Sequence, residues 1–236
     1  MTNEADQVRS AYRSGGGWVT DLLHGHLGDF PAIFAVRKGA SPSQVSVVGM
    51  LVSILGTVPL VVNSRSWICL VVASISWNLA YVLDCADGQV ARVTGKASAA
   101  GARVDLMGDY IAHAASLVGV IVVFGRGGRV GVGWLAAFAI TWMLGVFLSA
   151  LYSGSGVTSA FATNGVSSSS LNPLRTVFRQ CVDYGAQLVV VSFAVLLVGR
   201  GVGLVLFGFL LLVNSILGLL HPLQILRSAG LMVTRP

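Results

Sequence analysis

Charge is what this chain has least of. Of its 236 residues, 15 are basic and 9 acidic, so 10% are charged, where a soluble domain carries roughly 25%. That shortage argues against an ordinary water-soluble globular fold. Cysteine is also scarce. Cys69, Cys85 and Cys181 are the three present, an odd number at wide spacing, which excludes a disulfide framework and a zinc pattern. The first 30 residues lack an apolar core after a basic start, so no cleavable signal peptide is expected. Strongly basic tracts are missing too. The net charge of +6 comes from residues scattered at the ends of apolar segments, which reads as membrane topology and headgroup attraction and not as nucleic-acid binding. What is plentiful is apolar: 55% of the residues are hydrophobic, and the mean hydropathy is +0.81. Glycine, at 29 residues, suits close approach of helices in lipid. The composition predicts an all-α integral membrane protein.

Hydrophobic segmentation predicts six spanning helices of about 20 residues each. Ser41 to Val62 forms the first, with Pro42 suited to a helix N-terminus. Ser66 to about Asp87 is the second, and about Gly101 to Phe124 the third, after a polar turn around Gly95, Lys96 and Ser98. Val132 to Tyr152 is the fourth. A stretch rich in Gly, Ser and Thr, Ser153 to Asn172, carries no charge and reads as a long loop. The fifth helix is expected over about 173–198 and the sixth from Arg200 to about Leu220. Before these spans, Trp18, Leu22, Leu27, Phe30 and Phe34 recur among polar residues, as in an amphipathic helix lying at the interface. Residues 1–14 are polar and read as frayed. The organisation is thus 1–40 for tail and interfacial helix, 41–222 for a six-helix catalytic unit, and 223–236 for a cytoplasmic tail. With six spans, 11 of the 15 Lys and Arg fall on the side of the termini, which places that side in the cytoplasm.

Against this background four carboxylates stand out. Asp84, Asp87, Asp105 and Asp109 are the only acidic residues between Asp29 and Asp183. A charge in hydrocarbon costs kilocalories and marks a function. The spacings of three and four put each pair on one helix face, and the short turn between the helices makes them antiparallel neighbours. All four carboxylates then meet at the cytoplasmic edge. Carboxylates are preferred ligands of hard cations, and four could hold two Mg²⁺ or Mn²⁺ ions. Two such ions suit displacement at phosphorus, because they neutralise phosphate and stabilise a leaving oxygen. Gly88, Ala91 and Gly101 would let a ligand approach the backbone. Arg92 could pair with a phosphate or orient a carboxylate. The chemistry alone leaves open an acidic ion relay in a six-helix transporter, or a prenyltransferase that holds a diphosphate through Asp pairs.

The spacing Asp84-x2-Asp87-Gly88-x2-Ala91-Arg92-x8-Gly101-x3-Asp105-x3-Asp109 resembles the full motif of the CDP-alcohol phosphatidyltransferase family, with all eight fixed positions present over 26 residues. The stretch Ser41-Pro42-Ser43-Gln44-Val45-Ser46 resembles the Pro-Asn-x-x-Thr segment that often opens the first span, with Ser43 for Asn and Ser46 for Thr. The resemblance implies transfer of a substituted phosphate from a CDP-linked donor to an alcohol, with release of CMP, in phospholipid synthesis. It implies that Asp84, Asp87 and Asp105 are the main metal ligands, and that Asp109 is partly a ligand and also the general base. Gly88, Ala91, Arg92, Gly101 and Ser46 would form the cytidine-phosphate pocket. CDP-diacylglycerol is the expected donor; the alternative is a soluble CDP-alcohol with a lipid or polyol acceptor. The family's membership also admits a homodimer, in the cell membrane. Two residues outside the motif, Arg175 and Arg179, could bind an anionic acceptor or donor headgroup; anchoring at the membrane surface explains them equally well. His113, one turn beyond Asp109, reads as a packed polar residue.

Overall fold

A computed structural model describes residues 4–12, 18–126, 128–154 and 183–228, and these form helices without a strand. A short helix, α1 (Glu4–Ser10), is followed by a π-helical segment (Thr20–Gly25) that runs into α2 (His26–Arg37). Then come α3 (Pro42–Val62), α4 (Trp67–Thr94), α5 (Ala99–Gly125), α6 (Val132–Gly154), α7 (Tyr184–Leu196) and α8 (Gly201–Ser228). Helices α3, α4 and α5 are each long and apolar enough to cross a membrane, and apolar stretches of α6, α7 and α8 accompany them. The described residues are all helical or in turns between helices, and their apolar helices are those of an integral membrane protein.

Local sequence explains the helix ends. Ser41 opens α3 with a capping box: its Oγ accepts from the Gln44 amide at 3.3 Å, and Gln44 Oε1 accepts from the Ser41 amide at 2.8 Å. Pro42 sits in the first turn, where its missing N–H costs nothing. Gly95 closes α4 in the left-handed region at φ 65°, which a side chain would disfavour. Ser98 then caps α5 by accepting from the Gly101 amide at 3.0 Å. These caps make the tight reversal between the two halves of the aspartate motif.

Three expectations change. Helix α4 does not end at Asp87 but continues for seven residues to Thr94, about 10 Å further. The polar residues after Asp87 follow helical periodicity, so nothing stops the helix before Gly95. Helix α7 starts at Tyr184, because Asp183 is extended and caps it, accepting from the Ala186 amide at 3.1 Å. Of the expected helix over about 173–198, the described residues begin at Asp183 and are helical over Tyr184–Leu196. Finally, residues 4–10 are helical and not frayed. Val8 is fully buried in a small core with Ala32, Ala35, Val45, Ala86 and Val90.

The arrangement of α3, α4 and α5 also departs from the sequence expectation. Helix α3 packs extensively against both α4 and α5, while α4 and α5 touch only sparsely. Small residues allow this. A Cβ on Gly56 would lie 2.1 Å from the Ser76 Cβ, and one on Gly119 would lie 2.3 Å from the Trp77 ring. Polar links then tie the three helices together. The Trp77 indole donates to Thr57 Oγ1 at 2.8 Å, and the Thr57 hydroxyl faces the carbonyls of Ser53 at 2.9 Å and Ala115 at 3.3 Å. Such hydrogen bonds hold helices in lipid, where apolar contact alone gives no preference for protein over lipid. Trp77 continues into the main core with Leu60, Phe124, Phe138, Leu188 and Phe207.

This packing generates a pair of opposite outcomes. Gly119→Ala forces a Cβ into the Trp77 ring and should lower stability in detergent by about 1–3 kcal/mol. Gly208→Ala, where a Cβ meets nothing within 4 Å, should leave stability unchanged or raise it by up to about 1 kcal/mol. Thermal unfolding of both variants checks the contrast.

Candidate active site

The four aspartates converge. Asp84 is the eighteenth residue of α4 and Asp87 lies three further on; Asp105 and Asp109 occupy successive turns near the start of α5. Single carboxylate oxygens of Asp84, Asp87 and Asp105 all lie within 4.8 Å of one another. Asp109 faces Asp84, and Asp105 faces Asp87, at hydrogen-bond range across the two helices. Helices α4 and α5 touch only sparsely and both pack on α3, so the carboxylates are where the two helices approach each other. A narrow cleft lies there, lined by Ser46, Met50, Asp84, Asp105, Asp109 and Tyr184, with a free interior of about 20 Å³, room for an ion or a water.

Electrostatics decide what such a cluster can hold. Two ionised carboxylates no more than 4.8 Å apart repel by at least roughly 3 kcal/mol at an effective dielectric near 20. The ion pairs Arg9–Asp29 and Arg37–Glu4 lie elsewhere. A divalent cation with oxygen preference is the group that would offset this repulsion, and the donor set, all carboxylate oxygen, fits Mg²⁺ or Mn²⁺ better than a soft metal.

Ser46 has a definite place. Its Oγ donates to Asp87 Oδ2 at 2.5 Å and lies 3.2 Å from the Pro42 carbonyl oxygen; both Ser46 and Asp87 are buried. The hydroxyl therefore orients one oxygen of Asp87 and leaves the other to face the cluster. Ser43, from the same segment, lies on the far side of the motif: a Cβ on Gly101 would come 3.7 Å from Ser43 Oγ and 3.2 Å from Ser98 Oγ. A side chain at Gly101 would crowd the Ser98 cap hydroxyl, while the α3 start lies at ordinary contact distance.

Gly88 and Arg92, both in the motif, lie against each other. The missing side chain of Gly88 makes room for Arg92, whose Nη1 would lie 3.1 Å from a Cβ there. Arg92 Nε donates to the Ala11 carbonyl at 2.7 Å. Ala91 lies between, partly buried. Arg175 and Arg179 lie outside the described residues. Asp183 caps α7 and accepts from Thr20 Oγ1 at 2.6 Å, a structural role. His113 packs its ring 3.8 Å from that of Tyr184 and 5.9 Å from that of Trp142, as a packed polar residue would.

Other residues at the site went unread in the sequence. Tyr81 and Tyr184 line the cleft with rings 5.0 Å apart, edge to face. Asn78 Nδ2 donates to Ser192 Oγ at 2.9 Å and joins α4 to α7. The cap at Asp183 could have pointed to Tyr184, since it fixes the first residue of α7; nothing local singles out Tyr81.

Removing the hydroxyl that orients Asp87 tests the cluster directly. Ser46→Ala should weaken Mn²⁺ binding by roughly 10- to 100-fold, as outer-shell changes at metal sites do, whereas Ser46→Thr should keep it near wild type. Titration of Mn²⁺ followed by electron paramagnetic resonance reads the difference.

No curated protein matches the chain in sequence. The family model described as CDP-alcohol phosphatidyltransferase matches residues 40–213, which include α3 to α7, the whole aspartate motif and Ser46. Members of that family are enzymes that transfer phosphatidyl groups from CDP-alcohols and release CMP. The match spans well over half of the chain, and the protein belongs to the CDP-alcohol phosphatidyltransferase family.

Proposed function

We propose that this protein transfers a phosphatidyl group from CDP-diacylglycerol to an alcohol, with release of CMP, as a step of phospholipid synthesis. The convergence of Asp84, Asp87 and Asp105 within 4.8 Å, inside a chain of this family, is the observation that carries the reading. Asp84, Asp87 and Asp105 would hold two Mg²⁺ or Mn²⁺ ions, with Asp109 as a partial ligand. Bound there, such ions neutralise the pyrophosphate and stabilise the departing oxygen.

The chain's own residues do the rest. Asp109 lies outside the closest triad but lines the same cleft, which supports its use as the base. It takes the proton of the acceptor hydroxyl. The acceptor oxygen forms a bond to the phosphorus farther from cytidine, the bond from that phosphorus to the bridging oxygen breaks, and CMP carries that oxygen away. Arg92, with Gly88, Ala91 and Gly101, would bind the cytidine phosphate. Arg175 and Arg179 would hold the acceptor's or donor's anionic group.

A lipid donor is favoured by a second feature. A groove of about 630 Å³ opens between α2, α4 and α7 and is lined by Leu27, Phe30, Ile75, Leu79, Val82 and Phe193. Leu79 and Val82 precede Asp84 by five and two residues on α4, so the groove reaches the level of the carboxylates along the helix, on another face of it. Helix α2 exposes Leu27, Phe30 and Phe34 while burying Gly28, Ala32 and Ala35, which supports an interfacial position ahead of six spans. The organisation is then 1–40 for tail and interfacial helix, 41–222 for the catalytic unit and 223–236 for the tail. The site and both termini would face the cytoplasm at the cell membrane, where the Lys and Arg bias puts them. A homodimer is compatible with this placement.

Purified protein with Mn²⁺ should release CMP from CDP-diacylglycerol only when a suitable alcohol is present. Asp109→Asn should lower that rate by about 10²–10⁴-fold while Mn²⁺-dependent CMP binding persists. Near-normal CMP release by this variant would remove Asp109 as the base, and release only from a soluble CDP-alcohol would reverse the donor assignment.

A further inference from the structure

Residues 1–39 lie outside the family match, which begins at residue 40, yet side chains among them bond to the motif helix. Gln89 sits inside the motif, between Gly88 and Ala91. Its side chain is fully buried, at 0% exposure, and Nε2 donates to Asp29 Oδ1 on α2 at 2.8 Å. The other oxygen of Asp29 faces Arg9 Nε on α1 at 4.0 Å, with the Asp29 side chain only 13% exposed. One carboxylate therefore joins α1, α2 and the motif helix.

The segment that Asp29 anchors then reaches Arg92. Val8 is buried against Ala86 and Val90 of α4. Glu4 pairs with Arg37 at 3.5 Å. At the other end, the Tyr12 hydroxyl donates to Asp21 Oδ1 at 2.6 Å. Burial, then the hydrogen bond to Asp21, hold the Tyr12 phenol above its ordinary pKa, so it remains a donor through the neutral range. Between these anchors the Ala11 carbonyl takes the hydrogen of Arg92 Nε at 2.7 Å. The same guanidinium lies over Gly88, next to Asp87. An exposed arginine without such a partner would sample many rotamers, and ordering it would weaken its hold on a ligand.

We propose that Asp29 is a positioning residue for the nucleotide: through Gln89 and Arg9 it seats the segment Glu4–Tyr12, whose Ala11 carbonyl sets the Arg92 guanidinium for a cytidine-linked phosphate. This rests on the reading of Arg92 as a donor-site residue. Asp29 touches neither metal nor nucleotide; it acts through the geometry of Arg92. The N-terminal segment is then part of the donor site although it carries no motif residue.

The test is a double-mutant cycle on CMP affinity, measured by calorimetry with Mn²⁺ on the full chain in detergent. Asp29→Ala and Arg92→Ala should each weaken CMP binding by about tenfold, the scale of one hydrogen bond to a charged group. The double variant should be no weaker than Arg92→Ala alone, because residues acting through one contact are not additive. Mn²⁺ affinity without CMP should stay at the wild-type value, which separates positioning from general damage to the site. Asp29→Asn keeps an acceptor for Gln89 but loses the charge that faces Arg9, so its CMP affinity should fall between those of wild type and Asp29→Ala. If Asp29→Ala does not fold, Tyr12→Phe, which loses only the link to Asp21, should weaken CMP binding a few-fold in the wild-type background and not in Arg92→Ala. Unchanged CMP affinity in folded Asp29→Ala, or fully additive losses in either cycle, would overturn the proposal. Wild-type protein that binds Mn²⁺ but no CMP would instead overturn the donor-site reading beneath it.

Discussion

Mutual repulsion among Asp84, Asp87, Asp105 and Asp109 is the constraint to which the rest of the structure answers. Three of these carboxylates come within 4.8 Å of one another in a bundle that is otherwise apolar. Ionised and uncompensated, they would push α4 and α5 apart. The fold resists this from several sides. Gly95 and the Ser98 cap join the two helices by a tight reversal, Ser46 fixes Asp87 by a buried hydrogen bond, and α3 grips both helices along their length through Gly56, Thr57 and Trp77. The repulsion is thereby held in place and becomes affinity for a divalent ion, because a cation recovers what the like charges cost. A looser bundle could relax by moving the carboxylates apart, and would bind the ion less well.

Helix α3 is the common support of this crowded site. Helices α4 and α5 both pack on it and touch each other only sparsely. The close α3–α4 approach is made at Gly49 and Gly56, where a Cβ would meet the Ala80 carbonyl or Ser76. Polar side chains then serve two purposes. Thr57 and Trp77 hold the bundle in the membrane interior, while Ser46, three turns earlier on α3, holds a carboxylate. One helix thus carries both the mechanical and the chemical support of the site.

Much of this was legible in the residues, and the exceptions share a cause. The aspartate spacing, the Gly95 turn and the Pro42 helix start are local signals, and each appears in the structure where the sequence puts it. The length of α4 was misjudged because polarity after Asp87 resembled an exit from the membrane, whereas the helix ends only where Gly95 permits the left-handed turn. The cap at Asp183 was hidden because an N-cap aspartate looks like any surface charge. The position of α3, the contact of Gly88 with Arg92, and the link from Gln89 to Asp29 are non-local. A glycine reads the same whether it admits a ligand, a neighbouring helix or an arginine. Helix α1 escaped notice because it buries a single large apolar residue, Val8, too little for a periodic pattern.

The placement of supports suggests how chemistry and substrate choice are divided in this protein. The carboxylates are held by α3, α4 and α5, which pack around Trp77, Leu60 and Phe124. Tyr81 and Tyr184 close one wall of the cleft, and His113 stacks behind Tyr184. The apolar groove, by contrast, is shared by α2, α4 and α7, and Arg92 is approached by the segment before α2. Of the helices around the groove, α2 contributes no residue to the lining of the carboxylate cleft, whereas α3 and the first residue of α7 do. Thr20 links these outer parts, since its hydroxyl holds Asp183 at the start of α7. The π-helical segment and the start of α7 are thereby tied together beside the aspartate cleft, one wall of which Tyr184 forms.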